Sequence, residues 1–100
     1  MKDKLLKIIS FYGVMPQLKY FQSEVFELNE AIINCEMGRN YSSIQLGRKY
    51  EEHITEEIGD VQFMLNQFKR YYGIKDEDVN AVMIRKADRQ LERIKNENNN

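Results

Sequence analysis

Apolar residues recur along much of this chain in steps of three and four. Leu18, Phe21, Val25, Leu28, Ile32 and Cys35 follow that spacing, and so do Ile54, Ile58, Val61, Leu65, Phe68 and Tyr72. At 3.6 residues per turn such a period keeps side chains on one face of an α-helix, and at this regularity it reads as the heptad stripe of a packed bundle. With one proline and five glycines, the breaks between helices are few and easy to place. A short first helix is expected from Lys2 to Phe11, stopping at Gly13. A second starts near Pro16, which a first helical turn tolerates, and ends at Gly38. The stretch "RNYSSIQLG", Arg39 to Gly47, loses the apolar period and reads as a mobile loop. A third helix is expected from Arg48 to Tyr72 with Gly73 closing it, and a fourth from about Asp76, where that residue or a neighbour serves as cap, to the polar tail "NENNN". The pattern predicts an all-α bundle of about four helices, the two long ones antiparallel. One domain would cover residues 1–95, with a polar tail over 96–100.

Composition adds constraints. A chain of 100 residues buries a small core, so burial shared with further copies is expected. Lys and Arg number 15 against 16 Asp and Glu, which argues against a general nucleic-acid binder but leaves nucleotides open as ligands. The single cysteine, Cys35, has no partner for an internal disulfide and reads as a small buried hydrophobe; a reducing cytoplasm is the natural setting. Lys7 interrupts the N-terminal apolar residues before they reach signal-peptide length, and no run approaches the roughly 20 residues of a membrane span.

The acids have a pattern of their own. Glu24 precedes Val25, Glu27 precedes Leu28, Glu57 precedes Ile58 and Asp60 precedes Val61, so each long helix carries an i, i+3 carboxylate pair beside its apolar stripe. If the helices pack antiparallel, the four carboxylates converge at one border of the core. They would then repel unless a cation sat among them, and hard divalent ions such as Mg²⁺ take oxygen ligands and act together with substrate phosphates. Gly59, between Glu57 and Asp60, weakens the helix by about 1 kcal/mol against alanine, and it would clear space where a partner helix or substrate comes close. The plainer reading of any single such pair is a solvated helix face.

The segments "QLKYFQSEVFELNEAI", "EEHITEEIGDVQFMLNQFKRYYGI" and "VMIRKADRQLERI" together resemble the MazG-like nucleotide pyrophosphohydrolases of the all-α NTP pyrophosphatase superfamily. The family signature, Glu-x-x-Glu followed by Glu-x-x-Asp, matches Glu24 with Glu27 and Glu57 with Asp60, and the resemblance covers about residues 16 to 94. It implies an enzyme that uses Mg²⁺, with Mn²⁺ as a substitute, to cut a nucleoside triphosphate into monophosphate and pyrophosphate. Glu24, Glu27, Glu57 and Asp60 would be the metal ligands and catalytic residues. The chain departs from the family where Ser23 stands before Glu24, a position that often carries a further acid.

Other candidates follow from spacing. Lys86, Arg89 and Arg93 form a basic edge on the fourth helix, suited to phosphates or to salt bridges, and Lys86 resembles the family's phosphate-side lysine. His53 lies one turn before Glu57, within reach of nucleotide or metal, and Tyr20 one turn before Glu24, placed to stack on a base; the plainer roles are a structural histidine and a core aromatic. Glu56 is a candidate base, although its one-residue offset from Glu57 turns it about 100° towards the surface. Phe11, Tyr12, Phe63, Met64 and Tyr71 read as core or interface. No Gly-rich phosphate loop, HExxH motif or nucleophile elbow is present. The expected protein is a homodimer or homotetramer acting on a nucleoside triphosphate. The alternative is a catalytically silent helical interaction module, which needs the apolar stripes but not the acids.

Overall fold

Gly13 adopts φ 91° and ψ 156°, a backbone conformation open essentially to glycine alone, and there the chain turns from α1 (Lys2–Tyr12) into α2 (Val14–Met37). Its N–H donates to the Ile9 carbonyl at 2.8 Å, closing the first helix. Pro16 sits in the first turn of α2, where a missing N–H leaves no helical acceptor unfilled. The computed structural model describes residues 1–38 and 44–99, and continues with α3 (Ile44–Tyr72) and α4 (Asp76–Asn98). Among the described residues there is no strand, so the all-α expectation is met. No helix among them is long and apolar enough to cross a membrane.

Most expected boundaries hold, with three adjustments. Ile44 to Gly47, expected as loop, already belong to α3, while residues 39–43 of that segment lie outside the described residues. The fourth helix runs on into the polar tail as far as Asn98. Asp76 is not a cap. Lys75 holds the cap position without a side-chain bond, and the Asp76 carboxylate instead pairs with Lys69 at 2.5 Å and Arg70 at 3.4 Å, tying the end of α3 to the start of α4. The turn between them closes on Gly73 at φ 66°: Ile74 N–H reaches the Lys69 carbonyl at 2.9 Å and Gly73 N–H the Arg70 carbonyl at 3.3 Å. That pair of hydrogen bonds is the usual way a C-terminal glycine satisfies a helix's last carbonyls.

α2 and α3 pack antiparallel. Gln17 meets Gln67 and the Phe21 and Phe68 rings meet edge to face at 5.7 Å, while Gly38 meets Tyr50, so the start of α2 lies against the end of α3 and the end of α2 against the first half of α3. At the last of these a Cβ on Gly38 would sit 2.5 Å from the Tyr50 hydroxyl oxygen, so glycine is required there by close approach. α1 lies against both long helices, and Leu5, Ile9, Ala31 and Met64 form the buried apolar core.

The face that meets overlaps the apolar stripes only in part. The deepest positions of α2 are Gln17, Glu24, Ala31 and Gly38, spaced by seven, and α3 buries Glu57, Met64 and Gln67. Phe21, Leu28 and Cys35 flank the α2 line half-buried. Val25, Ile32, Ile58, Leu65 and Tyr72 are exposed. The apolar arc of each helix is broader than one contact, and the part facing the neighbouring helix is the polar-rich edge. Phe11, Tyr12, Phe63 and Tyr71, read as core or interface, are also exposed in the single chain, while Met64 is core as expected. α4 stands apart: it makes no extensive contact with the other helices, and of its described residues only Val79 is even half-buried.

Candidate metal centre

The seven-residue step that brings Gln17 and Ala31 into the α2–α3 contact brings Glu24 with them, and the same step on α3 brings Glu57 with Met64. These acids therefore lie within the helix contact rather than at its border, as the sequence pattern suggests. Glu24 is 9% exposed and Glu57 7%. Oxygens of Glu24, Glu57 and Asp60 lie within 4.8 Å of one another. Glu27 is exposed, outside that trio, but its carboxyl lies against Glu24 within hydrogen-bonding reach.

The electrostatics follow from this crowding. Burial pushes the Glu24 carboxyl above the usual carboxylate range, and the charges of Glu27, Asp60 and Glu57 push it further. Burial likewise raises Glu57, reinforced by Glu27 and Asp60 and opposed by His53. Among the described residues the buried side-chain polar atoms without a hydrogen-bond partner are Glu24 Oε2, Glu57 Oε2 and Arg70 Nε. Two of the three belong to this cluster. Buried carboxylate oxygens normally find a donor, because leaving one unpaired costs about 1–3 kcal/mol or more. A cation could be the partner such oxygens lack.

The donor set bears on which cation would fit. It is all carboxylate oxygen, with no imidazole or thiolate in the trio, which suits a hard ion such as Mg²⁺ or Mn²⁺ and not the nitrogen- and sulfur-rich sites of zinc. The residues present fit a divalent ion.

The other sequence candidates are placed as follows. His53 is exposed, near enough to Glu57 for its charge to favour the carboxylate. Tyr20, 60% exposed, lines the cavity that holds Glu24 and Asp60. Glu56 lines a different, open groove with Arg48, Glu51, Glu52 and Thr55, in keeping with a surface role. Lys86 and Arg89 are exposed on α4, and the single chain does not pack that helix against the acids. A Cβ on Gly59 would meet nothing within 4 Å, so no close approach inside the chain accounts for that glycine. Sequence reasoning missed the buried amide pair of Gln17 and Gln67. The step of seven through residues 17, 24, 31 and 38 was the available signal.

The chain matches no family model, no curated protein and no solved structure.

Proposed function

We propose that this chain is a Mg²⁺-dependent nucleoside triphosphate pyrophosphohydrolase, releasing monophosphate and pyrophosphate. The observation that carries the reading is the pair of buried carboxylate oxygens, Glu24 Oε2 and Glu57 Oε2, left without a partner beside Asp60. A helical interaction module has no use for that arrangement. The order of the acids, Glu-x-x-Glu then Glu-x-x-Asp, is the order that resembles MazG-like enzymes.

In this reading Glu24, Glu57 and Asp60 hold the ion. The ion's chemistry is to neutralise the triphosphate and to make water a better nucleophile. Glu27, against Glu24 but outside the trio, takes the proton of the water as it attacks the α-phosphorus, and pyrophosphate leaves. Tyr20 borders the nucleotide and His53 stands at the rim of the cluster. Lys86 and Arg89 meet phosphate only when α4 is packed, and a second copy is the occupant that would pack it. Supporting this are the exposed stripes of Val25 and Ile32 on α2 and of Ile58, Leu65 and Tyr72 on α3, the exposed Met83, Leu91 and Ile94 of α4, and the opposite charges of α4's basic edge and the acid cluster. The protein would work as a homodimer or homotetramer in the cytoplasm.

A panel of ordinary and modified NTPs and dNTPs with Mg²⁺, read for pyrophosphate against phosphate, tests the activity. Pyrophosphate is expected; phosphate alone would sink the assignment. Light scattering tests the assembly, and a stable, well-folded monomer at micromolar concentration would refute it.

A further inference from the structure

Arg70 Nε is the third buried polar atom without a partner, and the acid cluster does not account for it. A guanidinium carries five N–H donors in a planar fork, a shape that matches the oxygens of a carboxylate or phosphate. The Arg70 side chain is only 22% exposed, and its one hydrogen bond among the described residues runs from Nη2 to Asp76 Oδ2 at 3.4 Å, close to the limit for such a bond. Asp76 is held more closely by Lys69, at 2.5 Å. The arginine is therefore the under-satisfied member of this junction.

Arg70 also forms one wall of a cavity of about 250 Å³ where three helices meet. Lys2 lines it from the start of α1, Arg70 from the end of α3, and Lys75, Asp76 and Glu77 from the turn into α4. Lys2 lies near enough to Asp76 for its charge to favour that carboxylate. With Asp76 taken by Lys69, the lining that remains sets three cations against Glu77 alone. Neither Lys2 nor Lys75 has an ion-pair partner among the described residues. A junction braced only by internal ion pairs would balance its charges, and this one does not.

We infer that this cavity is an oxyanion site that takes a phosphate group between Lys2, Arg70 and Lys75. A phosphate group carries about −1.5 to −2 charge near neutral pH, which balances the excess, and offers oxygens in three directions; a carboxylate supplies a single charge. The site shares no lining residue with the cavity that holds Glu24 and Asp60, and it does not depend on the activity proposed for that cluster. Its effect would fall on α4. That helix makes no extensive contact with the others, so an ion bridging α1, α3 and the turn into α4 fixes the direction in which α4 leaves the body of the molecule.

The test is an NMR titration of the metal-free full chain with inorganic phosphate at constant ionic strength, with chloride as control. The Arg70 Nε–H signal is expected to move saturably, together with the backbone amides of Lys75 and Glu77, while chloride leaves them in place. Arg70→Lys keeps the charge but loses the fork, and Lys2→Ala removes an exposed lysine; each should weaken phosphate binding about tenfold, as expected for the loss of one charge-assisted hydrogen bond. Circular dichroism separates lost binding from lost folding, and if Arg70→Lys does not fold, Lys2→Ala decides. Sedimentation with phosphatidylglycerol vesicles tells a lipid headgroup from a soluble phosphate: a response to free phosphate alone assigns the soluble ligand, and a response to both assigns the headgroup. The inference is overturned if phosphate leaves the Arg70 Nε–H signal where it was, if chloride moves it equally, if the folded variants bind as tightly as the parent, or if only vesicles bind.

Discussion

Two polar pairs lie in the same helix contact, two turns apart, and they differ in one respect. Gln17 and Gln67 complete each other: donor meets acceptor at 2.8 Å, and the spare amide N–H of Gln67 finds the Met64 sulfur. Glu24 and Glu57 do not. Each is as buried as the glutamines, each keeps an oxygen with no partner, and each is surrounded by further negative charge. A satisfied buried pair fixes the register of two helices, whereas an unsatisfied like-charged pair destabilises the fold until something binds it. The amides tie the two helices together, and the carboxylates are the cluster that could hold an ion.

Neutralising a carboxylate has the largest expected effect. Asp60→Asn should lower turnover at least ~100-fold by weakening the ion, while relieving repulsion in the metal-free protein. Its metal-free melting temperature should hold or rise. An Asp60→Asn protein with full activity removes that residue from the site, and if the variant fails to fold, Glu24→Gln repeats the test on the other helix.

The amide pair should respond in the opposite sense. Gln67→Leu leaves Gln17 Nε2 without its acceptor, so denaturant unfolding should show a loss of about 1–3 kcal/mol, with the Mg²⁺-induced rise in melting temperature retained. A neutral Gln67→Leu would mean that the amides do not fix the contact.

A smaller effect is the pH dependence of the metal-free protein. Glu24 and Glu57 have their pKa values raised in the folded state above an ordinary value of 4.5, so the folded protein binds more protons than the unfolded chain as pH rises from there. Stability should fall with rising pH through that window, up to the raised values, and Mg²⁺ should flatten the slope. Asp76 acts in the opposite sense and lower down: its hydrogen bond and ion pair with Lys69 depress its pKa below 3.8, so its contribution is lost only on further acidification. Melting curves from pH 4.5 to 8 check the sign; stability that climbs with pH in the metal-free protein would contradict a crowded acid cluster.

Much of this contrast is legible in the amino-acid sequence. The period of three and four marks the long helices, Gly13, Gly38 and Gly73 mark their ends, and the i, i+3 spacing puts the acids on facing helices. What stayed hidden was which edge of each broad apolar arc faces the neighbour. Val25 and Ile58 are the more hydrophobic choice for a core, yet Glu24 and Glu57 occupy it, because the contact runs along positions spaced by seven that include Gln17, Ala31 and Gly38. Small residues there let the helices approach, as Gly38 does under Tyr50, and hydrophobicity alone does not register closeness. The fourth helix illustrates the other limit. Its amphipathic pattern announces a helix but does not say what covers it, and within one chain nothing does.

The most direct test of the central claim is the melting temperature of chelator-stripped protein with and without Mg²⁺ near neutral pH. If the unpaired oxygens of Glu24 and Glu57 are a cation site, Mg²⁺ at about a hundred times its Kd should stabilise the fold by about 2.7 kcal/mol and raise the transition by several degrees. A transition that stays where it was at every Mg²⁺ concentration, with and without a non-hydrolysable triphosphate, would contradict it.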